Sequence, residues 1–113
     1  MDIILTVQSC NYNKFRLGIS TRDSRELFKY RGFEIKLMIE KKSFITKTKC
    51  GPINYDIIRG KKCYDLYDIR IDSWIKENGF DLYNRNNFRN PKKLLFKYNQ
   101  IKKELKYVRE INH

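Results

Sequence analysis

Three stretches of the chain place apolar residues at every second position, and this alternation restricts the available folds more than any other feature. Ile3, Leu5 and Val7 alternate with Ile4, Thr6 and Gln8, and Phe15, Leu17 and Ile19 with Lys14, Arg16 and Gly18. Phe33, Ile35, Leu37 and Ile39 alternate with Glu34, Lys36, Met38 and Glu40. Successive strand side chains point to opposite faces, so a period of two means a half-buried strand in each case. The first two strands join through Asn11-Tyr12-Asn13 as a hairpin. The third runs through Lys41-Lys42-Ser43 into a partner strand from Phe44 to Cys50, where Lys47 and Lys49 share one face. Between the hairpins, Ser20 or Thr21 can cap a short helix, roughly Arg22 to Tyr30, with Gly32 near its stop.

Past the break at Gly51-Pro52, the centre offers two short strands, Tyr55 to Ile58 and Cys63 to Tyr67, around a Gly60 turn. Asp72 can cap a short helix, Ser73 to Asn78, that Gly79 ends. Tyr64-Asp65-Leu66-Tyr67-Asp68 is echoed by Phe80-Asp81-Leu82-Tyr83-Asn84, as two similar edge strands would be. After a polar loop, Asn84 to Asn90, the pair Asn90-Pro91 suits a helix start. Leu94, Tyr98, Ile101, Leu105 and Val108 then recur at spacings of four and three, which predicts an amphipathic helix of about five turns. The fold class expected is α+β: one domain over residues 1–113, with a mainly antiparallel sheet of about five strands, short helices and one long basic C-terminal helix. Its core must be built from Ile, Leu, Phe and Tyr, because the chain contains no alanine.

The succession of strand, short helix, glycine turn and hairpin over residues 3–50 resembles in outline the swapped-hairpin DNA-binding domains of transition-state regulators. Ile19-Ser20 stands where that family has Ile-Pro, and Gly32-Phe33 where it has Gly-Asp. No residue's role is carried over from the resemblance.

Charge is the main functional signal. The chain has 25 Lys and Arg against 13 Asp and Glu, a net charge of +12. Abundant Lys, Asn, Ile and Tyr with no Ala is the composition an AT-rich genome imposes, and that bias alone enriches lysine. It does not account for nine arginines, nor for the uneven distribution of charge. Residues 84–113 carry nine basic and two acidic side chains, whereas residues 52–83 carry five and six. A polyanion is therefore the expected partner, bound through phosphate contacts without chemistry. The candidate contacts are Lys92, Lys93, Lys97, Lys102, Lys103 and Lys106 on the C-terminal element, with Arg109 alongside. Arg85 and Arg89 in the preceding loop add any base or groove readout, and Lys47 and Lys49 form a second patch with Lys36. If Lys36 lies across from either, like charges sit close at a cost that a polyanion offsets. Tyr12, Phe88 and Tyr107 are the aromatics expected to be free for stacking on unpaired bases.

Two other readings compete. A small inhibitor or adaptor of the phage or mobile-element type, such as an anti-CRISPR protein, acts by occupying a nucleic-acid-processing protein. A magnesium-dependent nuclease is the third, because Glu34-Ile35-Lys36 forms a Glu-x-Lys triplet at a strand start. The only upstream acids are Asp2, Asp23 and Glu26, and the only histidine is His113, so acid–base and zinc chemistry find little material. No cofactor is expected. Cys10, Cys50 and Cys63 are scattered, as reduced cytoplasmic thiols are. No apolar run approaches the roughly 18 residues of a membrane helix, and Asp2 interrupts a signal-like start, so no membrane partner is expected.

Overall fold

A computed structural model describes residues 1–10, 14–50, 64–81 and 91–111. Its strands are β1 (Asp2–Cys10), β2 (Lys14–Ile19), β3 (Glu34–Ile39), β4 (Lys42–Cys50), β5 (Tyr64–Leu66), β6 (Lys93–Asn99) and β7 (Glu104–Ile111). They close into a barrel in the order β1-β2-β5-β4-β3-β7-β6. Strands of alternating direction cannot close on an odd number, so one neighbouring pair must run parallel. That pair is β3 and β7, with Leu37 opposite Leu105, and every other pairing is antiparallel. Closure leaves none of the described strands with an open edge to template aggregation. The radius of gyration, 13.3 Å, matches the roughly 13 Å of a single compact domain of this size.

The alternation identified in the sequence sorts inside from outside. Leu5, Leu17, Leu37, Leu66, Leu94 and Leu105 are fully buried, with Ile3, Val7, Phe15, Ile35, Ile39 and Phe96 around them. A barrel this narrow is filled by its own side chains. Helical segments close its two ends. At the end where β2 and β6 finish, α1 (Thr21–Asp23) runs into a π-helical turn (Ser24–Phe28). Ser20 caps it, accepting from Asp23 N at 3.1 Å. There the buried Phe28 ring lies 5.0 Å from Tyr98 and 6.0 Å from Phe33, and Ser24 Oγ accepts from Tyr64 N. At the opposite end, α2 (Ile69–Glu77) inserts Ile71, Trp74 and Ile75. Trp74 packs edge-on against Tyr107, Phe80 and Phe96 at 5.0, 5.5 and 6.4 Å.

Four expectations are corrected. The five-stranded sheet is a seven-stranded closed barrel, and the long C-terminal helix is the β6–β7 hairpin. An apolar spacing of four is even, so Leu94 and Tyr98 share a face in a strand as well as in a helix. Phe96, between them, decides the matter: it is fully buried where a helix would turn it away. Asn99 breaks the segment, its Oδ1 accepting from Ile101 N and Lys102 N at 3.1 Å each. Lys103, at φ 54°, completes the turn. Ile101, expected in the apolar stripe, is 95% exposed at its tip.

Asp68, not Asp72, caps α2, accepting from Arg70 N. Asp72 lies within the helix, where Oδ1 accepts from Phe15 N at 2.8 Å and Oδ2 from Lys76 Nζ at 3.1 Å, fastening α2 to β2. The echoed pentapeptide does not give two strands, since Tyr64–Leu66 is β5 whereas Phe80 and Asp81 are helical. The expected strand 55–58 and the turns at 11–13 and Gly60 lie outside the described residues. No described helix is long and apolar enough to cross a membrane.

Candidate nucleic-acid interface

Replacing the helix by a hairpin redistributes the expected contacts without scattering them. Lys93 and Lys97 are four residues apart, so they share the outward face of β6. The register then places Lys97 directly opposite Lys106 of β7, both exposed. Neither makes an ion pair among the described residues. Like charges directly opposite one another on adjacent strands repel, and Asp2 on the far side of Lys97 offsets part of that repulsion. In the same row, Met38 of β3 lies beyond Lys106 and Asp2 of β1 beyond Lys97. One row nearer the hairpin turn, Lys36 of β3 stands beside Glu104. Lys102 and Lys103 sit in the turn itself. The wall made by β3, β7, β6 and their turn thus presents Lys36, Lys93, Lys97, Lys102, Lys103 and Lys106 against Glu34 and Glu104, with Asp2 of β1 at its edge and Glu34 already engaged by Lys47. An open groove of about 620 Å³ crosses it, with Lys97, Lys106 and Gln100 beside Met1, Met38 and Ile101.

Other expected contacts fall elsewhere or are already occupied. Lys92 is largely buried and pairs with Glu110 at 3.0 Å, closing the β6–β7 hairpin at its open end. Lys47 faces Glu34 across β3 and β4, Nζ to Oε1 3.9 Å. Lys36 lies opposite Ile45, so the like-charge contact anticipated in this hairpin does not occur there. Lys49 is one wall away, with Nζ 5.2 Å from the Tyr67 ring centre. Its cross-strand neighbour Asp65 pairs with Arg16 at 3.2 Å. Arg85, Arg89, Tyr12 and Phe88 lie outside the described residues. Tyr107 is packed against Trp74, and burial pushes its phenol above the ordinary range. It is not free to stack.

Among the described residues the large exposed aromatic is Tyr30, 55% exposed on the loop between the π-turn and β3. Its ring meets Phe33 edge-on at 5.3 Å, and Lys103 Nζ lies over the other ring of the pair, Phe33, at 4.9 Å. The loop therefore adjoins the basic hairpin turn. Reading residues 22–30 as one regular helix concealed this, although Gly32 close behind marked a reversal of the chain. Of the Glu34-Ile35-Lys36 triplet, Glu34 is exposed beside Lys47 and Lys36 stands beside Glu104, and the described residues contain no cluster of three or more His, Cys, Asp or Glu.

A separate strip of the outer wall is apolar. Leu95 of β6 lies between Ile4 of β1 and a β-bulge in β7 at Val108, which leaves Ile4 46% and Val108 41% exposed. No family model matches the chain, and no curated protein or solved structure matches it.

Proposed function

We propose that this protein binds nucleic acid without performing chemistry on it, tracking phosphates with the lysines of the β3–β7–β6 wall. The observation that carries the reading is the unpaired Lys97–Lys106 juxtaposition, flanked by Lys36, Lys93, Lys102 and Lys103. Genomic bias adds lysines anywhere on a surface, whereas these gather on one wall, with Lys97 and Lys106 in direct cross-strand register. Lysine is a compact point charge that suits phosphate contact and carries no base readout, so affinity is expected to depend strongly on salt and weakly on sequence. A double variant, Lys97→Glu/Lys106→Glu, tests the proposal against Lys14→Glu, an exposed lysine on β2 outside the wall. The double variant should lose at least ten times more affinity for a labelled oligonucleotide than the control loses. Equal losses would mean that net charge alone attracts the ligand.

The apolar strip Ile4–Leu95–Val108 favours a second reading, in which the barrel docks on a nucleic-acid-processing protein as an inhibitor or adaptor. Apolar centres with charged rims characterise protein interfaces. Ile4→Ser/Val108→Ser should then abolish that docking while leaving oligonucleotide affinity unchanged.

A further inference from the structure

We infer that the loop from Lys29 to Phe33 is a stacking platform for an unpaired base, so that the ligand of the basic wall is single-stranded nucleic acid. The inference rests on the nucleic-acid reading above and narrows it to a strand class. It starts from an oddity of the backbone. Lys29, a residue with a side chain, sits at φ 54° and ψ −35°, and across it Tyr30 N donates to Phe28 O. This is a γ-turn with positive φ, a rare and strained conformation. Two residues after Tyr30, Gly32 also has positive φ, at 87°. Strain of this kind persists only where the surroundings enforce it.

The enforcing group is Thr48 of β4, 1% exposed. Its Oγ1 donates to Tyr30 O at 2.9 Å and accepts from Phe33 N at 3.0 Å. Its backbone accepts from Gly32 N at 2.8 Å and donates to Phe33 O at 3.0 Å. One buried threonine thus makes four hydrogen bonds to a five-residue loop, which therefore presents Tyr30 in a fixed place. What it holds fixed is an aromatic ring left more than half exposed, its edge braced by Phe33 and the next ring inward, Phe28, in the core. A tyrosine serving the core would face inward, as Tyr64 and Tyr98 do. A rigid exposed ring, cations on either side of it in Lys29 and Arg31, and Lys103 from the neighbouring turn meet the requirements for holding one splayed nucleotide. The base stacks on Tyr30 and its phosphates meet the lysines. In a duplex the bases are already stacked on one another and offer Tyr30 nothing.

The test compares three labelled probes of about a dozen nucleotides, within the range one small barrel covers: oligo-dT, oligo-U, and a chain of abasic sites with the same phosphates. A duplex of equal length is the fourth. Wild type should bind oligo-dT or oligo-U more tightly than the abasic chain by about 5-fold or more. The ratio of dT to U distinguishes DNA from RNA. Tyr30→Ala should remove that preference and leave abasic and duplex affinity and the salt dependence unchanged. Tyr30→Phe should restore it, because the ring and not the hydroxyl stacks. If the abasic chain binds wild type as well as oligo-dT and oligo-U do, the platform is refuted and a phosphate-only site remains. The abasic comparison needs no variant, so misfolding of Tyr30→Ala cannot obscure it. If no probe binds, the nucleic-acid reading falls as well.

Discussion

Replacing Lys106 with glutamine should make the protein more stable and a weaker binder at the same time, because Lys106 faces Lys97 on one side and Met38 on the other. Directly opposed residues on antiparallel strands have Cβ atoms about 5 Å apart, and the two ammonium groups can swing out to roughly 7 Å. At that distance in water the repulsion is about 0.6 kcal/mol. A Debye length of about 8 Å at physiological salt reduces it to roughly 0.3 kcal/mol. For a domain of this size 1 kcal/mol moves the melting temperature by about 4–8 °C. Lys106→Gln should therefore raise Tm by about 2–5 °C in low salt, by about 1–2 °C at physiological salt, and by almost nothing near 1 M. Lys97→Gln should gain less, because it also gives up the attraction of Asp2 opposite it on β1, and the double variant should add little to Lys106→Gln, because that substitution already removes the repulsion. Calorimetry at three salt concentrations reads this directly, with Lys14→Gln as the control for net charge. In parallel, each single variant should flatten the log–log salt dependence of single-strand binding by about 0.7, the share of one phosphate contact. A Lys106→Gln protein that is stabilised but binds with unchanged affinity and slope would refute the reasoning. The opposed lysines would then be a composition effect with no ligand behind them.

Three further outcomes follow from named contacts. Thr48→Val keeps the shape of the side chain but deletes both Oγ1 hydrogen bonds to the Tyr30 loop. It should cost about 1–3 kcal/mol in a urea melt and lower oligo-dT affinity with no change in salt slope. Asn99→Ala removes the acceptor for two turn N–H groups and should cost about 1 kcal/mol, measured the same way. Asp68 caps α2, and its hydrogen bond from the Arg70 side chain holds its carboxyl below the usual 3.8. A lowered folded-state value means that its stabilisation is present above 3.8 and is lost as pH falls through the lower folded value. Asp68→Asn should therefore be less stable than wild type at pH 7, by up to about 1 kcal/mol since asparagine still caps. That gap should close as thermal melts are taken below pH 3.8.

The strands of the first half were legible because Ile3 to Val7, Phe15 to Ile19 and Ile35 to Ile39 place an apolar residue at every second position, with only Ile4 and Met38 apolar on the outer face, and each has one face in the barrel. The helix start was legible to within one residue, Ser20 or Thr21, and Ser20 is the one that caps. The second half misled for a physical reason. Leu94, Tyr98, Leu105 and Val108 fit a helical stripe only if Phe96 and Asn99 are passed over, and these two residues carry the opposing information. Barrel closure was not legible either, because the parallel pairing of β3 with β7 joins segments about seventy residues apart and leaves no local mark. The lysine face survived the wrong secondary structure because a spacing of four keeps Lys93 with Lys97 in both conformations. The opposition of Lys97 to Lys106, in contrast, depends on a hairpin register that periodicity does not carry. Tyr30 was hidden inside an expected helix whose second half is a π-turn ending in a γ-turn.

The most direct test of the central claim is a fluorescence-anisotropy titration of a labelled single strand at several salt concentrations between about 50 and 200 mM. Six wall lysines at about 0.7 each give a log–log slope near −4, a loss of roughly 300-fold in affinity across that range. A slope near −4 that falls toward −2 or −3 in Lys97→Gln/Lys106→Gln is the expected result. A flat salt dependence, or no measurable binding at the lowest salt, would contradict the account and leave the Ile4–Leu95–Val108 strip as the functional surface to pursue.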